Sequence, residues 1–96
     1  MRGKRFVKGD GIRGEADGDL FLPIGITVDK ENNVWVSDSS NNRIQKFTNN
    51  GVFLEKIGSF SGTDGNFFSP WGIAFGNNGE MYVTDALLNR VTKFVP

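Results

Sequence analysis

Pro23-Ile24-Gly25-Ile26-Thr27-Val28, Val34-Trp35-Val36-Ser37-Asp38 and Asn42-Arg43-Ile44-Gln45-Lys46-Phe47 decide the fold, because all three return 47 residues later. The second copies are Pro70-Trp71-Gly72-Ile73-Ala74-Phe75, Met81-Tyr82-Val83-Thr84-Asp85 and Asn89-Arg90-Val91-Thr92-Lys93-Phe94. Working outward in the same register, Phe6 meets Phe53, Gly11 meets Gly58, Asp17-Gly18 meets Asp64-Gly65, and Phe21 meets Phe68. Two periods of 47 fill 94 of the 96 residues, so the chain reads as one unit, 1–96, made of a repeat at about 2–48 and another at about 49–95. A fixed period of this size is the mark of stacked supersecondary units, none of which buries its apolar face alone.

Inside each unit the apolar residues come as short β-branched and aromatic runs separated by Gly, Asn, Asp and Pro, a strand-and-turn pattern. The first copy predicts strands at Ile24 to Val28, Val34 to Ser37, Arg43 to Thr48 and Val52 to Ile57. The second predicts Trp71 to Phe75, Met81 to Thr84 and Arg90 to Val95. Asn49-Asn50-Gly51 and Asn77-Asn78-Gly79 read as hairpin turns, whose Asn-Gly pairs tolerate positive φ. A fourth strand of the second copy has no room after Pro96, and its counterpart stands at the front, where Lys4 to Lys8 aligns with Gly51 to Glu55. The strand order is therefore d-abc-d-abc.

Composition narrows the chemistry. Eleven basic residues balance eleven acidic ones, so the chain as a whole lacks the charge of a nucleic-acid or anionic-membrane binder. With no Cys and no His, disulfides, thiol nucleophiles, Ser-His-Asp triads and imidazole or thiolate metal sites are excluded. No apolar run approaches the roughly 18 residues that span a bilayer, and Met1 to Gly11 lacks a signal peptide's apolar core. The chain reads as soluble, with its compartment left open.

The quoted motifs, Pro23-x-Gly25-Ile26-x-Val28-Asp29, Val34-Trp35-Val36-Ser37-Asp38 and Asn42 to Phe47, together with their second copies, resemble the NHL repeat. The resemblance implies an all-β chain of two four-stranded antiparallel propeller blades, where members of the family mostly have six. Two blades expose two apolar faces and give a small core. The orphan strand Lys4, Arg5, Phe6, Val7, Lys8 and the bare edge Arg90, Val91, Thr92, Lys93, Phe94 are complementary. Pairing them between chains gives every blade four strands and covers each edge. Three copies then complete a six-bladed ring, which favours a homotrimer over an eight-bladed tetramer. In that pairing Lys8 stands against Lys93 where the first copy sets Glu55 against Lys46, and like charges across a strand pair disfavour it modestly. The near two-period length also reads as a segment excised or engineered from a longer propeller.

The repeat bears on every candidate site. Asp38, Arg43, Asp85 and Arg90 recur once per blade, so they read as structural pairs rather than a catalytic group. Trp35 with Tyr82, and Phe47 with Phe94, read as core between blades. Trp71, whose counterpart is Ile24, opens an inner strand and is the candidate channel-side ligand contact. Gly9-Asp10-Gly11-Ile12-Arg13-Gly14 matches a dinucleotide fingerprint but lacks the following helix that the fingerprint needs. Asp10, Glu15, Asp17 and Asp19 read as an acidic surface turn rather than a cation site. Arg2, Lys4, Arg5, Lys8 and Arg13 give the first thirteen residues five positive charges against one; the remainder has six basic and ten acidic. RNA binding, which the resemblance brings in for some members, is thus the second reading. The resemblance also brings in lyases, which need absent histidines, and metal-dependent lactonases, as the third. The leading expectation is a non-catalytic interaction scaffold with no cofactor, no catalytic residue and no metal, whose partners are other copies of itself and an unidentified protein or small ligand, with no membrane.

Overall fold

A computed structural model of the chain describes residues 13–58 and 67–96. The strands are β1 (Pro23–Val28), β2 (Val34–Asp38), β3 (Arg43–Phe47), β4 (Phe53–Ile57), β5 (Pro70–Phe75), β6 (Met81–Asp85) and β7 (Arg90–Phe94). Every one lies within a residue or so of its expected position, because β-branched and aromatic runs bounded by turn residues leave little freedom at the ends. The first four form an antiparallel sheet in the order β1-β2-β3-β4, and the last three form β5-β6-β7. The described residues thus form an all-β pair of meander sheets, as propeller blades require. The proposed partner strand of β7, Lys4 to Lys8, lies outside the described residues.

The repeat is copied into the backbone. Register pairs Asp38 with Arg43 across β2 and β3, and Asp85 with Arg90 across β6 and β7. Both first hairpins carry an irregularity after their opening proline, at Pro23 and Pro70. Asn42 and Asn89, 47 apart, turn through left-handed φ values of 55° and 52°. The sheet charge pairing expected within the first blade is present, with Lys46 opposite Glu55 and their charged ends 3.5 Å apart.

The hairpin turns differ from the expectation in one respect. Positive φ falls on Gly51 (87°) and Gly79 (84°) while the asparagines before them stay in ordinary conformations. The Gly51 amide donates to the Thr48 carbonyl (2.9 Å), and Thr48 donates to Val52 (2.8 Å). These are longer loops with a single left-handed residue rather than two-residue turns, and only the glycine position demands special geometry. Asn32, at φ 68°, fills the same place in the β1–β2 loop.

The core sits between the two sheets, where Trp35 and Ile44 of the first blade meet Phe67, Met81 and Val83 of the second. The indole of Trp35 meets Phe75 edge-on with ring centroids 5.5 Å apart. Such aromatic pairs contribute about 0.5–1.5 kcal/mol beyond area burial. Phe94 packs against this core, but Phe47 points to the opposite side of its blade and meets Phe53 at 6.2 Å. Tyr82 is 36% exposed on the outer face of the second blade. Of the four aromatics expected as core between blades, Trp35 and Phe94 pack there, while their repeat counterparts Tyr82 and Phe47 lie on the outward faces of the stack.

Candidate functional site

The face between the two blades carries buried polar groups as well as apolar ones. Ser37 sits in the middle of β2, fully buried, and its hydroxyl accepts the Gly25 amide at 2.6 Å. The same hydroxyl donates to the carbonyl of Trp71 in the other blade, again at 2.6 Å. Next to it, Ser39 donates to the Pro70 carbonyl at 2.8 Å, and its oxygen lies 2.9 Å from that of Ser69. Two hydroxyls thus bolt the backbone of β5 to the first blade. Gly25 makes this possible, because a Cβ built there would overlap the Trp71 carbonyl oxygen.

A second polar centre lies at the β2–β3 end. The buried carboxylate of Asp38 accepts Arg43 Nε at 2.6 Å, Asn41 Nδ2 at 2.9 Å, Gln45 Nε2 at 3.1 Å and the Phe21 amide at 2.7 Å. Arg43 then spends its remaining nitrogens on the carbonyls of Glu15, Ala16 and Asp19. Gln45 holds the same loop through Gly18 N (2.9 Å) and Asp19 O (2.6 Å). Such charge-assisted bonds are about twice as strong as neutral ones, and here they clamp the loop before β1. Sequence reasoning singled out Asp38 and Arg43 but missed Gln45; its one available signal was an uncharged polar residue inside a strand, between Ile44 and Lys46. In the second blade the carboxylate of Asp85 accepts the amides of Phe68 (2.8 Å) and Leu88 (3.3 Å). Phe68 is the counterpart of Phe21, so that one bond of the clamp recurs, while Thr92 stands in the place of Gln45.

The other singled-out residues are dispersed. Trp71 is 48% exposed, and its indole N–H lies 3.2 Å from Ser69 Oγ. Val91, Thr92 and Lys93 lie on β7 at the edge of the described sheet. Lys4, Arg5, Phe6, Val7 and Lys8, and with them most of the basic cluster, lie outside the described residues. Arg13 stacks over the Phe21 ring at 4.2 Å. Of the acidic turn, Asp17 pairs with Lys56 at 2.6 Å, and among the described residues no three carboxylates gather as a cation site would need.

Between the blades opens a cleft of about 590 Å³, with Trp35, Phe75 and Phe94 on its walls and Asp29, Lys46 and Glu55 at its rim. Asp29 accepts the Trp35 indole N–H at 2.8 Å and the amides of Glu31 and Asn33 at 3.0 Å each. Partial burial raises its carboxyl pKa, but these donors and Lys46 outweigh that and leave it below the ordinary aspartate value. A carboxylate held low in the fold contributes stability above its unfolded pKa and loses it as pH falls through the folded one. The thermal midpoint of the chain is therefore expected to drop on the acid side of the normal aspartate range. Asp29→Asn should flatten that drop, which a melting series from pH 2 to 6 checks.

The two stacked meanders, with the bond from a Phe amide to a buried Asp repeated 47 residues on, define a class: a chain of blade-like repeats. Residues 22–47 match the NHL repeat, about a quarter of the chain. It is 50% identical over 46 residues to E3 ubiquitin-protein ligase TRIM71 of Bos taurus and of Gallus gallus, covering 48% of this chain and 5% of each relative. It is 48% identical over 46 residues to Protein lin-41 of Caenorhabditis elegans, covering 48% of this chain and 4% of that protein. The aligned segment is thus about a twentieth of the length of these relatives. Among the described residues, no helix is long and apolar enough to cross a membrane.

Proposed function

We propose that the chain is a non-catalytic propeller module for protein or ligand binding, which reaches a closed ring by joining copies head to tail, three copies giving six blades. One observation carries this reading. Ile44, on the inner face of the first blade, is fully buried against the second, while its counterpart Val91 is 64% exposed. The outer face of the second blade thus repeats a face that the chain itself uses to hold a neighbour. At the other end Ile26 and Val28 are 69% and 51% exposed, and their counterparts Ile73 and Phe75 pack against the core. The two ends of the stack are the two halves of the interface in its middle. The polar groups that recur per blade are committed to backbone, which supports a structural rather than catalytic use for them.

Light scattering over a concentration series tests the reading. A mass of three chains, lost when residues 1–8 are deleted, is the expected result; a well-folded monomer at every concentration would overturn it. Four chains would mean eight blades. Since Lys8 of one copy would face Lys93 of the next, assembly is also expected to weaken several-fold as salt is lowered. Assembly that ignores ionic strength would remove that charge pairing from the interface.

A further inference from the structure

Gly72 is a glycine that the described fold of its own chain does not need. Its φ is not left-handed, and a Cβ built on it would meet one atom, Thr84 Oγ1 at 3.1 Å, with open space otherwise. Glycine inside a strand weakens the strand, and where no unusual φ calls for it, it marks a place where another backbone comes close. Its counterpart Gly25 is such a place, occupied by the Trp71 carbonyl. The side chain beside Gly72 is matched as well. Thr84 Oγ1 accepts the Gly72 amide at 2.8 Å, as Ser37 Oγ accepts that of Gly25 at 2.6 Å. In Ser37 the hydroxyl proton passes outward to the Trp71 carbonyl (2.6 Å).

We infer that Gly72 and Thr84 form a notch that receives the backbone carbonyl of Ile24 from a second copy of this chain. Ile24 is the counterpart of Trp71, so the incoming group is the repeat equivalent of the one Ser37 already holds. Thr84 keeps its bond from Gly72 and donates its proton to that carbonyl, with Tyr82 and Val91 closing over Ile26 and Val28 on either side. This inference rests on the head-to-tail reading and names the contact that gives it register. The notch is also lighter than its template. Ala86 stands where Ser39 donates to Pro70, Val91 replaces Ile44, and Tyr82 meets Val28 where Trp35 meets Phe75. The joint between copies is therefore weaker than the joint within a chain.

The experiment is sedimentation or light scattering of the full chain and three variants, with circular dichroism and melting as folding controls. Gly72→Ala should fold, since only the Thr84 hydroxyl must give way by a few tenths of an ångström, yet lose association by tenfold or more because the added carbon fills the notch. Thr84→Val, nearly isosteric, should weaken association about tenfold through loss of one hydrogen bond, and Thr84→Ser should restore it. Wild-type association with undisturbed association of both Gly72→Ala and Thr84→Val would overturn the notch while leaving the ring standing. A wild-type chain that never associates would overturn both. Should Gly72→Ala fail to fold, the contrast between valine and serine at 84 decides alone.

Discussion

Gly25→Ala is expected to cost about 3 kcal/mol or more of folding stability, at or beyond the upper end for overpacking a tight site. The obstacle is a backbone carbonyl, that of Trp71, which is tied to Ser37 by a 2.6 Å hydrogen bond and belongs to a strand paired with β6 on both sides of it, at Pro70 and from Ile73 to Phe75. A flexible side chain could swing away, but here the whole second blade would have to retreat. That retreat would also loosen the contacts of Trp35 and Ile44 with the second blade. Urea unfolding monitored by tryptophan fluorescence measures it, with Gly72→Ala as the paired control. The same chemical change, 47 residues on, meets only the side-chain oxygen of Thr84 at 3.1 Å and should cost far less. Equal losses at the two positions would contradict the interblade geometry described above.

The second large effect is expected at Asp38. Alanine there removes the acceptor of four donors at once and leaves the Arg43 guanidinium, itself buried, without its carboxylate. Breaking a buried pair by deleting one partner typically costs 3–5 kcal/mol, about what is expected here, because an uncompensated charge remains. Domains of this size are commonly stable by only about 5–15 kcal/mol. Asp38→Ala is therefore expected to unfold the first blade at moderate temperature, and the loop from Glu15 to Phe21 should become protease-sensitive first, since Asp38, Arg43 and Gln45 hold it. Replacing both partners, Asp38→Ala with Arg43→Met, should recover part of the loss. No recovery in the double variant would show that the loop bonds of Arg43, rather than the stranded charge, carry the cost.

The strands were legible because the repeat states each of them twice, so an ambiguity at Val34 to Asp38 is resolved by Met81 to Asp85. Which side of a blade a residue faces was less legible. A strand alternates its side chains between two faces, and Phe47 and Trp35 both look like core in a sequence where either face is covered by a neighbour in a long stack. The interblade hydroxyls were missed altogether, since Ser37 and Ser39 carry no apolar signal; the clue was a small hydroxyl at position 37 and again at 84. The bond from Trp35 to Asp29 joins a strand to its preceding loop, and spacing alone does not announce it. The closing role proposed for Lys4 to Lys8 rests on strand arithmetic alone, since those residues lie outside the described ones.

The two ends of the stack are unlike, and this sets how copies would populate solution. An end that fits its opposite but not itself cannot form a face-to-face dimer, so each joining in the proposed ring leaves one end of either kind still open. The last joining alone consumes both. It occurs within a single assembly, where the ends meet at an effective concentration that can far exceed the bulk value. Short open arcs would therefore be scarce beside free chains and finished rings, and the amount of ring would climb steeply, toward the third power of chain concentration, through a narrow threshold. A chain whose individual joint is weak gains from that threshold a sharp on-off response to its own abundance.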